Sequence, residues 1–268
     1  MREAGLALLL LACGCAQARA GAWTQDKGHW QIISSFDLAG ASKGFDAQSR
    51  ARAPIKFDKR FTKSLLEYGW TDSLTFILAP EYSVAVSTWS KTAPVQALDL
   101  GVEGGARLRL SDSFGIVSLQ ATLKYAGPFD LSHGPIQEFR GVVRGSAASA
   151  EIRVLYGTGF KLFGRDGFAD LELGQRFRSP PLPNETAFDA TAGLWLGTRA
   201  MVMAQSFNEV SGGDAEPPYT YFRMHKLELS LVRRLSDRWS LQLGGYISPA
   251  GQNSLVEQGL TISLWHQG

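Results

Sequence analysis

Cysteine is nearly missing from this chain: Cys13 and Cys15 are the only two in 268 residues, and both fall within the first twenty. Once that segment is removed, neither a disulfide framework nor thiol chemistry is available. Long apolar runs are missing too. The longest near the start, Leu6 to Ala12, is far short of the ~20 residues that a spanning helix needs. No run of Lys and Arg stands out, and the formal net charge is only +2, so the electrostatic footprint of a nucleic-acid partner is absent. Catalytic and metal motifs are lacking as well. His29, His133, His225 and His266 occur in "GHWQI", "SHGPI", "MHKLE" and "WHQG", with no His-x-Ser arrangement, no HExxH and no clustering. "GRDGFADLE" lacks the ligand spacing of a calcium loop, and "GVEGG" lies within a strand pattern rather than before a helix. No catalytic residue, metal or cofactor is therefore expected, and the chain is not read as an enzyme.

What the chain does have is glycine (29 residues), aromatic side chains (11%) and few charges (19%), a mixture suited to twisted strands. Period-two alternation recurs throughout. Leu98, Leu100, Val102, Ala106, Leu108 and Leu110 share one parity, against Asp99, Glu103, Arg107 and Arg109 on the other. Val117, Leu119, Ala121, Leu123 and Tyr125 oppose Ser118, Gln120, Thr122 and Lys124. Successive strand side chains point to opposite faces, so each segment is apolar on one side and polar on the other.

The alternation predicts about twelve strands, near 28–38, 55–70, 74–87, 96–110, 114–125, 147–162, 167–178, 186–197, 200–209, 219–235, 238–248 and 255–266. Short turns follow every second strand: "TDS" at 71–73, "SDS" at 111–113, "GRD" at 164–166, "TR" at 198–199 and "SD" at 236–237. Asp, Ser and Gly suit such turns. The intervening connections, 39–54, 88–95, 126–146, 179–185, 210–218 and 249–254, read as longer loops. The pattern is an up-and-down meander.

The first twenty residues read as a signal peptide. Arg2 supplies a positive charge, "LALLLLA" the apolar core, and Ala18-Arg19-Ala20 a small-x-small cleavage site before Gly21. Leu10 to Cys13 loosely resembles a lipobox, so lipidation at Cys13 or Cys15 is the competing reading. Export follows from either. The domain organisation expected is thus 1–20 signal peptide and 21–268 barrel.

A meander of amphipathic strands can close with its apolar face inward, as a soluble barrel, or outward, in a membrane. Export, strand length, the alternation of short turns with long loops, and aromatics near strand ends favour the membrane. Those aromatics include Tyr68, Trp70, Phe114, Tyr156, Phe168, Trp195, Trp239 and Trp265. Twelve strands also enclose more space than side chains fill, since about eight already makes a filled interior.

With the signal sequence, the repeated Thr/Ser-Asp turns and the closing Leu260, Ile262 and Leu264 in place, the chain resembles bacterial outer-membrane β-barrels of the porin and transporter kind. The resemblance implies an all-β, closed antiparallel transmembrane barrel in the outer membrane, with membrane lipids and small solutes as partners. Such barrels usually finish on an aromatic residue; here Trp265 is off the apolar parity and three residues follow it. The residues expected to face the lumen, as a pore lining or a salt-bridge network, are Glu81, Asp99, Glu103, Arg107, Arg109, Glu151, Arg153, Glu172, Arg176, Arg178, Lys226 and Glu228. Glu67, Lys124, Asp170 and Asp189 share their parity. The function expected is a porin-like channel or transporter. The alternatives are a structural or adhesion barrel acting through loops 126–146 and 39–54, and an outer-membrane lipid hydrolase.

Overall fold

Alternation in the sequence becomes strand after strand in the fold. The computed structural model describes residues 21–89, 95–127, 147–180, 182–213 and 221–268. The leader 1–20 with Cys13 and Cys15, the loop 128–146 with His133, and the stretch 214–220 lie outside the described residues. The strands are β1 (Trp30–Phe45), β2 (Ala51–Thr71), β3 (Leu74–Trp89), β4 (Val95–Ser111), β5 (Ile116–Gly127), β6 (Ala147–Leu162) and β7 (Arg165–Arg178). They continue as β8 (Glu185–Trp195), β9 (Ala200–Ser211), β10 (Arg223–Arg234), β11 (Trp239–Gln252), the two-residue β12 (Ser254–Leu255) and β13 (Gln258–Gln267).

Every pairing is antiparallel, and neighbours in sequence are neighbours in space. The ring closes because β1 pairs on one side with β2 and on the other with β13, where Phe36 lies opposite both Thr62 and Ile262. The fold is a closed barrel of twelve long strands, with β12 as a small addition beside the end of β1.

The two faces are divided as a membrane requires. Leu119, Leu123, Leu173, Leu229, Leu243 and Leu260 are exposed on the outside, Leu229 to 62% of its surface. Their polar neighbours Ser118, Thr122, Glu172, Ser230, Gln242 and Thr261 turn inward, where Ser118 has no exposed surface at all. In water such an exterior would be an apolar patch far larger than soluble monomers tolerate. Against acyl chains it is favourable, and ring closure leaves no strand edge unpaired.

The short turns have a shared mechanism. In the repeated Thr/Ser-Asp turns the hydroxyl before the Asp does the capping. Thr71 Oγ1 accepts from the Leu74 N–H at 3.0 Å, Ser111 Oγ from the Ser113 N–H at 3.4 Å, and Ser236 Oγ from the Trp239 N–H at 3.1 Å. The β6–β7 turn instead uses Phe163 and Gly164, both with positive φ (51° and 74°), the pair of left-handed residues that a two-residue hairpin demands.

Three expectations are corrected. The span 39–54 is mostly ladder. β1 and β2 stay paired out to Phe45 and Ala51, and only 46–50 turns. That turn is held by Asp46, which accepts from the N–H groups of Gln48 and Arg50, both at 2.9 Å, and from the Arg52 guanidinium at 2.6 Å. The span 249–254 is likewise strand as far as Gln252. Finally, Phe168 and Trp265 leave the aromatic belt and point into the barrel, each about 5% exposed.

Leu229→Arg should cost ~2–4 kcal/mol, the penalty for arginine on the lipid face near the bilayer centre. The measurement is the urea midpoint of protein folded into lipid vesicles. Unboiled protein should also migrate anomalously on a denaturing gel. An unshifted band, or an arginine variant of unchanged midpoint, would contradict the outward orientation.

Candidate functional site

The lumen carries two layers of different chemistry. At the short-turn end lies a small apolar cluster of Phe168, Met201, Met203, Val232 and Trp265, flanked by Ile33 and Trp195. This is where the off-parity Trp265 goes. Its indole N–H donates to Gln242 Oε1 at 3.1 Å.

Against this cluster sits residues 21–29, which belong to no strand. The segment folds back into the barrel ahead of β1. Trp23 packs edge-on against Phe168, with ring centroids 5.8 Å apart. Gly157 makes the space, because a side chain there would strike the Trp23 ring at 2.7 Å. Gly69 likewise yields to the backbone of Asp26.

From Ala22 to Lys27 the segment is held mainly by side chains of the wall, and Gly28 and His29 are then tied to Gly69 of β2 by backbone bonds of 2.8 and 2.9 Å. The Ala22 N–H donates to Asp170 Oδ1 at 2.7 Å, and the Gln25 N–H to Thr75 Oγ1 at 2.8 Å. The Lys27 N–H reaches Asp72 Oδ1 at 3.0 Å. In the other direction, Ser118 Oγ donates to the Ala22 carbonyl at 2.6 Å and Arg107 Nη1 to the Trp23 carbonyl at 2.9 Å. Gln25 Nε2 donates to Glu67 at 2.9 Å. Strands β2, β3, β4, β5 and β7 and the β2–β3 turn thus share the segment among them.

Beyond it the wall is charged. Arg107 bridges Glu67 at 2.9 Å and also donates to Gln120. Lys63 pairs with Glu103 at 3.2 Å, and Lys124 with Glu81. On the opposite wall Arg153 meets Glu151, Glu172 and Asp189, each at 2.6 Å. Arg176 meets Glu151 at 2.8 Å, Glu185 at 2.7 Å and Glu209 at 3.4 Å, and Arg178 also pairs with Glu185. Lys226 pairs with Glu257 at 3.2 Å, and Gln242 donates to Glu228 at 3.1 Å. Tyr246 closes this group through its hydroxyl, which donates to Glu257 at 3.0 Å.

The residues expected in the lumen are thus distributed as follows. Glu81, Glu103, Arg107, Glu151, Arg153, Glu172, Arg176, Arg178, Lys226 and Glu228 take part in the polar contacts just given. Arg109 is half-buried on the same parity, beside the β4–β5 turn. The Asp99 side chain lies outside the described residues, although its backbone pairs with Ser83. Sequence reading missed Glu185, Glu209 and Glu257, which occupy strand ends or a connection where alternation gives no parity. It also missed Lys63, which sits in the mixed stretch of β2 beside Phe61. The inserted segment carried no periodic signal at all.

Among the described residues, His266 and His225 serve packing and local bonding. His266 stacks on Trp239 with ring centroids 3.9 Å apart, and His225 Nδ1 bonds Asn208 Oδ1. Among the described residues no three His, Cys, Asp or Glu side chains are gathered for a metal ion.

Comparison with solved structures shows where this architecture recurs. An outer membrane channel from Pseudomonas putida F1 superimposes with a TM-score of 0.66 at 11% identity, covering 92% of this chain and 98% of that one. The fold is that of bacterial outer-membrane β-barrels. The translocator domain of autotransporter NalP from Neisseria meningitidis matches with a TM-score of 0.56 at 9% identity, covering 90% of this chain and 89% of that one. LpxR from Salmonella typhimurium matches at 0.52 and 9% identity, over 87% and 99%. No protein-family model and no curated relative matches the sequence. With its apolar face outward, this barrel belongs in the outer membrane.

Arg153→Met would leave Glu151, Glu172 and Asp189 without their shared cation. Breaking a buried pair in this way costs ~3–5 kcal/mol. Thermal unfolding, followed by loss of the unboiled gel species, should shift to markedly lower temperature. Arg50→Met, on the exposed turn, should shift it little. Equal shifts for the two variants would mean that the Arg153 cluster does not brace the barrel.

Proposed function

We propose that this chain is an outer-membrane channel for small polar solutes, narrowed at its short-turn end by its own residues 21–29. The observation that carries the reading is how that segment is held. From Ala22 to Lys27 its bonds run mainly to side chains of the wall, so that stretch can leave without breaking a rung between strands, while Gly28 and His29 stay tied to Gly69 as its hinge. A segment built into the sheet could not.

The energetics suit a gate that is closed most of the time. Side-chain hydrogen bonds of this kind net ~0.5–1.5 kcal/mol each, and burying an aromatic ring adds ~2 kcal/mol. Several together hold the segment in place, yet the total is small beside a closed ladder. Once it leaves, the wall exposed is apolar at the Phe168 cluster and polar along Glu67, Thr75, Arg107, Ser118 and Asp170, and water can follow the polar side.

The charge of the wall sets the preference. Asp37, Asp170, Glu228 and Glu257 add to the carboxylates already shared by Arg153 and Arg176, so acids outnumber bases around the path. Rings of carboxylates favour cations. Membership of a fold shared with an outer membrane channel is consistent with this use.

Planar-bilayer recordings test the proposal. Full-length protein should give small, infrequent openings with a modest preference for potassium over chloride. Deleting residues 22–27 should raise conductance several-fold, and Trp23→Ala should lengthen the openings. Equal conductance with and without the segment would refute it as the constriction. Silence from every variant would refute the channel itself.

A further inference from the structure

One feature of the inserted segment is not accounted for by packing. Asp170 is 2% exposed, and its carboxyl bonds the Ala22 N–H and the neighbouring Glu172 carboxyl. Glu172, two residues on along the same inward face, lies against it. The arginines of the neighbourhood make their ion pairs with other carboxylates, Arg107 with Glu67 and Arg153 with Glu151, Glu172 and Asp189, and Arg107 reaches Asp170 only through space. A buried carboxylate requires a cation, or strong donors in its place.

A cation able to pair with Asp170 directly would stand one residue away from Ala22. Gly21 sits directly over Asp170, so closely that a Cβ there would overlap the carboxyl group. Its φ is +79°, in the left-handed region that glycine adopts readily. On standard backbone geometry its nitrogen lies within about 5 Å of the carboxylate. In the sequence Gly21 directly follows Ala18-Arg19-Ala20, the small-x-small pattern of a cleavage site. Hydrolysis of the Ala20–Gly21 bond puts the hydroxyl of water on the Ala20 carbonyl and its remaining proton on the Gly21 nitrogen. The products are a carboxylate on the released leader and an α-ammonium on Gly21.

We infer that Asp170, with Glu172 behind it, is a receptor for the α-ammonium of the processed chain, so that removal of the leader locks residues 21–29 in the lumen. The same residues explain why position 21 is glycine. Any other side chain would occupy the space of the Asp170 carboxyl and push the terminus away. Before processing the Gly21 nitrogen is an uncharged amide, so the segment rests on its neutral hydrogen bonds and ring packing alone. Processing adds the charge that fixes it.

The test is chemical and requires no conduction, so its outcome is separate from that of the channel proposal. Protein purified from outer membranes is first weighed intact, and the mass should correspond to a chain beginning at Gly21. The folded protein in detergent is then treated at neutral pH with an amine-selective acylating reagent, and the N-terminal peptide is quantified by mass spectrometry. The α-amine of the wild type should react at least tenfold more slowly than that of Asp170→Asn. A second variant, with one glycine inserted between Ala20 and Gly21, keeps Asp170 and displaces only the ammonium. It should react as fast as Asp170→Asn and fold equally well by the unboiled gel shift. Combining the two changes should add nothing further. A different N-terminus, or a wild-type α-amine as reactive as that of the glycine-insertion variant, would overturn the inference.

Discussion

The structure depends on one constraint: in hydrocarbon no backbone N–H or C=O can be left without a partner. Closure of β1 onto both β2 and β13 meets it, and most else follows. Strands so closed must show one face to lipid, which fixes Leu119, Leu229 and Leu260 outside. What remains for the inside is the polar parity. It cannot be left as bare charge, because the interior of a narrow barrel solvates ions poorly. The arginine clusters on β6 to β9 are therefore a consequence of closure as much as a feature of the path. Each guanidinium serves several carboxylates, as Arg153 does for Glu151, Glu172 and Asp189.

The barrel was legible in the sequence because its defining property is periodic. Leu98 to Leu110 and Val117 to Tyr125 state the face of every residue between them, and the Thr/Ser-Asp repeats mark where the chain reverses. The direction of the faces needed arguments beyond alternation, from strand length and export. Reading failed where period two stops. The polar, small and aromatic residues of 39–54 gave no clean alternation, and so resembled a loop. There the sheet rises above the lipid, and neither face is required to be apolar.

The lumen was only half legible for a related reason. Parity finds a charged residue in mid-strand but cannot say which charges meet, since Glu151, Arg176 and Glu209 stand on three different strands. Nor could it find residues 21–29. Their positions are set by Gly157, Gly69, Ser118 and Thr75, distant in sequence and ordinary in composition. The one visible sign was a misfit. Trp265 stood on the wrong parity for lipid, and its place in the inner cluster beside Phe168 accounts for it.

The walls of the barrel are not of equal height. β2 runs for 21 residues and β10 for 12. At ~3.3 Å per residue those are ~70 and ~40 Å of chain, which the usual tilt shortens to ~50 and ~30 Å, against an apolar band ~25 Å tall. The β1–β2 hairpin is therefore a stiff parapet, standing well clear of the headgroups, while strands β8 to β10 themselves end lower. Among the described residues the rim drawn by the strands is slanted. A molecule drifting along the cell surface toward the high side meets ordered sheet there, not loop.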